Sequence, residues 1–333
     1  MSARRAFHHL SSSGTILIAL GFSLCALAPL SETARAETPL RWKFKTGDKL
    51  QYAVAQRSKV VVTNSGLDFD VVGTQIADLT CTVGNVDADG TAEMKVVFDR
   101  IQMQAASPYG GQFQYDSKSG KTGGGQLWEM VNPLFQASLG QEIHVRVSPR
   151  GEVSDIKLPE GLSAILTALE PHAVPQLMMG GGINASTYRD MLALTFVRLP
   201  AKPVAAKATW KLELPEPIGP VAKRTTELTF TSTGPSMHEG RTLERIDVAS
   251  QTKVEIDEDN PDFFLEVTSD EMTGSVWFDA NAGRAVDLAL RQKLELAGDL
   301  VGTAFSQVRE IETFVRQGSS ADLKLPPTEG EKK

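Results

Sequence analysis

Three histidines lie beyond residue 36: His144, His172 and His238. Histidines that hold a metal or move protons work in groups, with a second ligand or a carboxylate at a fixed offset, as in H-E-x-x-H. None of the three lies near another in the chain, and none has the H-E-x-x-H spacing. His144 shares a strand face with polar residues and His238 borders a turn, so each reads as a surface or hydrogen-bonded side chain rather than a ligand or base. Gly120-Lys121-Thr122 has the ending of a phosphate-binding loop, but the glycine required at position 115 is Tyr115, and no strand leads into a helix there. Gly180-Gly181-Gly182 reads as a linker between helices. No G-x-S-x-G elbow is present, which removes local support for hydrolase chemistry. The acidic run Asp257-Glu258-Asp259-Asn260-Pro261-Asp262 has oxygen ligands at a spacing that suits calcium, and equally the composition of a solvated turn. These residues give no catalytic group, no cofactor and no assigned metal.

The residue types that suit a ligand best are apolar. Trp128, Met130, Leu134 and Phe135 fall in one stretch, Leu166 and Leu169 in a second, and Met178, Met179, Met191 and Phe196 in a third. Methionine adapts to apolar ligands of varied shape. The set reads in two ways: as the lining of a pocket for an apolar small molecule or lipid, or as the faces with which helices pack on a sheet. In the pocket reading Met178 and Met179, beside the triglycine, form a mobile rim that gates it.

The elements that must position these residues are mostly strands. Leu40, Trp42 and Phe44 alternate with polar residues ahead of the Gly47-Asp48 turn. Leu50–Thr63 and Leu67–Val83 flank Asn64-Ser65-Gly66 as a long hairpin. Met94, Val96 and Phe98 share a face that shifts to Ile101 and Met103, which predicts a bulge. Residues 106–126 read as loop. Asn132-Pro133 predicts a helix start, with a short helix over Leu134–Leu139. Ile143, Val145 and Val147 predict a strand that turns back at Pro149-Arg150-Gly151. Pro159 opens a second helix that Pro171 stops, and a third starts near Ser186. From Trp210 onward, pairs such as Leu228/Phe230, Val276/Phe278 and Leu288/Leu290 recur at period two, ending in a strand over Val308–Val315.

The expected fold is mainly β (α+β): a strongly curved antiparallel sheet, with two similar halves at 37–157 and 201–316. A helical insert over 126–199, overlapping the first half, covers one face. Residues 37–316 form a single β-rich domain, and 317–333 a disordered tail.

The chain has 333 residues, 41% hydrophobic and 23% charged, with a formal net charge of -7. That composition belongs to a globular protein. Its acidity argues against non-specific binding of nucleic acid, which depends on Lys and Arg neutralising phosphates. Arg4 and Arg5, the apolar run Thr15–Leu30 and Ala34-Arg35-Ala36 have the order of a cleaved secretory signal over residues 1–36. The run is short for a membrane span and contains Pro29. The residues before Cys25 fit a lipidation site poorly. Beyond the signal only Cys81 remains, on the apolar side of a strand, so no internal disulfide is expected and the thiol reads as buried.

Four stretches carry a family resemblance: Lys45–Tyr52, Val86–Met103, Gly140–Val153 and Gly274–Arg284. Their turns and strands resemble an uncharacterised family of exported bacterial proteins of planctomycete and Bacteroidetes type, over most of residues 40–316. The resemblance brings no catalytic residues. Ala205–Trp210 departs from it, lacking the expected Gly-Asp turn before the tryptophan. The architecture is similar to the periplasmic lipoprotein-carrier fold by analogy.

The sequence thus points to an exported, non-enzymatic cell-envelope protein, periplasmic or extracellular, with an apolar small molecule or lipid as its expected partner. It expects no nucleic acid and no transmembrane segment once the signal is removed. The alternatives are an extracytoplasmic interaction or structural module without a small-molecule ligand and, third, an enzyme of unassigned type. Because Ala34 and Ala36 offer the small side chains a signal peptidase accepts, terminal sequencing of the exported protein is expected to begin at Glu37. A start at Met1 or Cys25 would overturn the assignment.

Overall fold

The structure is a computed structural model that describes residues 39–64, 67–169, 185–204, 207–218, 222–256, 263–300, 302–323 and 325. The chain is mainly β. The first part supplies β1 (Lys49–Asn64), β2 (Leu67–Val86), β3 (Ala92–Ser107), β4 (Gly111–Asp116), β5 (Gly120–Gly124), β6 (Glu142–Val147) and β7 (Val153–Lys157). Among the described residues three helices belong to the middle: α1 (Gln126–Ser138), α2 (Glu160–Leu169) and α3 (Ala185–Thr195). The rest is β8 (Thr209–Ile218), β9 (Ala222–His238), β10 (Arg241–Ile256), β11 (Phe263–Asp279), β12 (Arg284–Leu300) and β13 (Thr303–Gln317).

All thirteen strands join one antiparallel sheet, in the order β5-β4-β3-β2-β1-β13-β12-β11-β10-β9-β8, with β6 and β7 branching from β3. The sheet does not close. Two meanders meet where the first strand pairs with the last, from Tyr52 opposite Gln317 to Asn64 opposite Phe305. Strand β3 serves two neighbours: its first half pairs with β6 and its second half with β4. The division falls at a bulge, because Asp78 faces Arg100 while Leu79 faces Phe98, leaving Asp99 as the extra residue. This is the shift of face predicted between Phe98 and Ile101.

The sheet must curl. Ten inter-strand spacings separate β5 from β8, a distance of about 48 Å across a flat sheet. Yet α1 packs on β3, β4 and β5, α3 packs on β8, and Ser138 Oγ of α1 lies 3.0 Å from Tyr188 OH of α3. A helix is only about 10–12 Å across, so the two edges converge beneath the helical layer.

The main core lies under that layer. Leu50, Tyr52, Leu79, Cys81, Met94, Val96, Ile143 and Val145 alternate inward from their strands, and Phe230, Phe278 and Leu288 meet them from the second meander. Phe98, Leu288 and Leu290 are buried, as their period-two placement predicts. A smaller cluster, including Leu265, Leu294, Leu296 and Phe305, fills the far ends of β11–β13.

Three sequence expectations are corrected. Residues 40–46 are not a strand. They run without a ladder, and Trp42 is instead clasped from several sides: its N–H donates to Pro149 O at 2.8 Å, its indole N–H to Val197 O at 3.1 Å, and the Lys43 N–H to Gly283 O at 3.1 Å. Residues 106–126 are not a loop but contain the β4–β5 hairpin. Its Gly123 has φ 75, and a Cβ there would collide with the Gln112 carbonyl, so glycine serves sheet geometry as well as turns. Finally, α1 begins at Gln126, not after Asn132, and Pro133 lies inside it. Leu127, Trp128, Val131, Leu134, Phe135 and Ser138 are all buried on one helical face, and that packing outweighs the backbone bond the proline removes.

Phe98 is 4% exposed and makes an edge contact with Tyr188. Truncation to alanine removes a buried ring between sheet and helix, and is expected to destabilise the fold by about 3–5 kcal/mol in a denaturant titration. An unchanged midpoint would contradict this packing.

Candidate functional site

The residues singled out as an apolar pocket divide into three groups. Trp128 and Phe135 project from α1 into the main core, where Tyr115 of β4 stacks on Phe135 and Trp128 meets Phe113 edge-on. Phe196, just beyond α3, is fully buried between Trp42 and Tyr52. Met130 and Met191 are half-buried and pack against the same core. Leu166 belongs elsewhere: with Leu162 it rests on Leu134 in a separate cluster between α2 and α1. Met178 and Met179, the triglycine gate and the acidic run 257–262 lie outside the described residues, as does His172. The structure therefore brings Trp128, Phe135, Met130, Met191 and Phe196 to one helix–sheet layer, in close packing.

A formed cleft lies elsewhere, over strands β2–β5, with a volume of about 360 Å³. Thr74, Gln104, Gln114 and Thr122 stand opposite one another across the four strands. Ile76, Gln102 and Asp116 form the next rank, and Ser119 closes it. Asp116 is held by Arg100, whose Nε and Nη2 donate to its two oxygens at 3.0 and 2.6 Å. These bonds, with that from the Lys118 backbone N–H, hold its carboxyl down at about 2. Nothing in the composition of this segment distinguished it from a loop; the only signal was the alternation Gln102, Gln104 and Gln112, Gln114.

Three titratable groups converge at the turn after β9. His238 Nε2 donates to Asp287 Oδ2 at 2.6 Å, and the imidazole stacks on Trp277 at 4.3 Å. Glu239, at φ 45, turns back toward them, and the ligand atoms of the three lie within 4.8 Å of one another. That arrangement could hold a cation, but a guanidinium is already present: Arg316 pairs with Glu239 and lies 3.2 Å from Asp287. The cluster is a latch of the β9–β10 turn across the sheet. Its partners are far apart in sequence, which is why His238 read only as a turn-side histidine. His144, by contrast, is exposed, 3.4 Å from Glu142.

Cys81 is fully buried, and burial pushes its thiol up to about 12, helped by the charge of Asp99. Burial also raises the Tyr52 hydroxyl. Neither group is set up as a nucleophile.

Residues 89–259 match a family described as a family of unknown function (DUF6263). The chain belongs to this family. No curated protein matches it. Among solved structures the DUF6263 chain is similar to one of lipid–protein interactions in lipovitellin, at 10% identity and a TM-score of 0.39, covering 86% of this chain. It spans only 27% of the lipovitellin chain. It is also similar to DynF from the dynemicin biosynthesis pathway of Micromonospora chersina, at 8% identity and a TM-score of 0.21, with 87% and 89% of the two chains covered. For the COG4313 outer membrane channel from Pseudomonas putida F1 the figures are 9%, 0.19, 83% and 97%. Among the described residues no helix is long and apolar enough to cross a membrane.

The Arg100–Asp116 pair ties the β4–β5 hairpin of this DUF6263 chain to β3. Because the folded carboxyl lies below its unfolded value of about 4, the tie is complete above that value. It is lost as pH falls through about 2. Amide exchange at β4 and β5 should accelerate over that window, and Asp116→Asn should abolish the acid dependence while leaving exchange in β12 and β13 unaltered.

Proposed function

We propose that this is an exported, non-catalytic binding protein of the cell envelope, whose ligand is an apolar chain admitted between the helical layer and the sheet. The observation that carries this reading is how α2 is attached. Its leucines, Leu162 and Leu166, rest on Leu134 of α1 in a cluster distinct from the main core. The helix can therefore lift without breaking a strand ladder. Its half-buried Ile165 and Tyr188 of α3 pack against the same cluster, and the layer that holds Met130 and Met191 adjoins them. The side chains of Trp128, Phe135, Leu192 and Phe196 already meet the sheet closely, so a ligand enters by displacing the α2 contact rather than by filling an open hole.

The N-terminal pattern of Arg4-Arg5, an apolar run and Ala34-Arg35-Ala36 supports export.

Native mass spectrometry of protein purified from its own envelope is expected to show a retained lipid. Leu166→Ala loosens the α2 contact and should increase uptake of an apolar fluorescent probe, whereas Met191→Trp fills the adjoining layer and should reduce it. Protein with no retained lipid, and probe uptake indifferent to both changes, would reject the reading in favour of an interaction module that uses its surfaces.

A further inference from the structure

We propose that the cleft over β2–β5 is a binding site for a neutral oligosaccharide. This goes beyond the apolar-ligand reading and does not depend on it, since the cleft residues Gln104, Gln114 and Thr122 are exposed and none belongs to the helical layer.

The first argument is hydrogen-bonding capacity. The side chains of Thr74, Gln102, Gln104, Gln114 and Thr122 make no hydrogen bond or ion pair among the described residues. Each primary amide offers two donors and an acceptor, and each hydroxyl offers one donor and two lone pairs. Sugar hydroxyls have the same mixed character. Register fixes the spacing of these groups: Thr74, Gln104, Gln114 and Thr122 are direct cross-strand partners, so they present a rank of polar ends at strand intervals of about 4.8 Å.

The second argument is charge. Asp116 is the acidic group of the cleft, and Arg100 already satisfies it with two bonds, joined by the Lys118 backbone N–H. Lys121, on the neighbouring edge strand, has its Nζ 5.0 Å from the Trp128 ring. A cationic ligand would find Asp116 already paired, and an anionic ligand would find Arg100 already committed to Asp116. An apolar ligand would strip water from five polar side chains without replacing their bonds, which is costly for each group so buried. A neutral polyhydroxylated ligand incurs neither cost, and Ile76, on the same face as Gln102, supplies apolar surface for the C–H face of a sugar ring.

The third argument is size and rigidity. About 360 Å³ falls within the range of roughly 300–1,000 Å³ typical of small-ligand sites. The walls are strands rather than a loop, and the hairpin that carries Gln114 and Thr122 is pinned by the Arg100–Asp116 pair. An extended peptide is the less suited occupant. It would take its main-chain bonds at the open edge of β5, a strand of five residues that includes Lys121, whereas strand side chains stand out of the plane in which such edge bonds form.

The test uses the full exported chain and two neutral trisaccharides, maltotriose and chitotriose. Side-chain amide NMR signals are followed during titration, with tetraglycine as a peptide control. Saturable shifts confined to Gln102, Gln104 and Gln114 at millimolar sugar are expected. Gln104→Ala combined with Gln114→Ala should weaken binding about tenfold or more, the effect of losing roughly one net hydrogen bond per side chain. Gln141→Ala, at an exposed glutamine outside the cleft, should leave it unchanged. All three glutamines changed are on the surface, so an unaltered denaturation midpoint checks that the variants fold. The proposal is overturned by an absence of saturable shifts with both sugars, by equal affinity in the double variant, or by tetraglycine binding more tightly than either sugar.

Discussion

The pairing of β1 with β13 is the constraint on which the rest of the structure depends. These strands lie near opposite ends of the described chain, yet they share an unbroken register from Tyr52–Gln317 to Asn64–Phe305. Each meander is built from local hairpins, and each alone would be a sheet with a long exposed edge. Joining them through β1 and β13 removes both long inner edges at once and leaves β5 and β8 at the ends of the sheet, with β7 the edge of its branch. Edge strands template unwanted pairing unless they are shortened, interrupted or covered. Here β5 has five residues, β8 contains Pro215 and Pro217, and helices contact both. Contacts of such large sequence separation also form slowly, since loop closure precedes the bonds that reward it.

The segment 39–46 works against the same topological problem from the other side. Trp42 touches Phe196 and Phe278 edge-on and bonds to the β6–β7 turn and to the end of the helical layer. Arg41 adds bonds to Pro200 O and Ala201 O. One short stretch thus fastens the first meander, the second meander and the insert to one another. A regular strand could not do this, because its backbone bonds would all be directed at its two neighbours.

That trade explains what was legible in the sequence and what was not. Long strands with a half-buried face announce themselves by period two, and the residues so placed, Met94 to Ile101 or Leu288 and Leu290, lie where the alternation puts them, including the bulge at Asp99. Trp42 alternates just as well, but its burial is decided by tertiary partners that no local pattern contains. The β4–β5 hairpin was hidden by composition: glycine at Gly111 and Gly123 meets a steric demand of close strand approach, glycine at Gly120 meets a turn's φ of 96, and in sequence both look the same as a flexible loop. Proline misled at α1, since Pro133 usually marks a first turn and here sits within a helix held by its buried face.

The candidate sites were legible in inverse proportion to how much they depend on register. Apolar side chains on helices can be grouped from the sequence, because helical spacing is local. The polar cleft and the His238 latch cannot. Arg245, Trp277, Asp287 and Arg316 are successive cross-strand partners over β10–β13, and only that register sets the Arg245 guanidinium over the Trp277 ring and Arg316 beside Asp287. Across a flat sheet β9 and β12 would lie about 14 Å apart, so the 2.6 Å bond from His238 to Asp287 requires the Glu239–Gly240 turn to fold over the sheet. The guanidinium then decides the chemistry of that cluster. With Arg316 paired to Glu239 and close to Asp287, two neighbouring carboxylates are neutralised by a group that cannot leave its strand, and the residues that in isolation resemble a metal site act as a clasp. In the cleft over β2–β5 the same logic runs the other way: Arg100 satisfies the one carboxylate, and the amides and hydroxyls around it keep their bonding capacity for whatever enters.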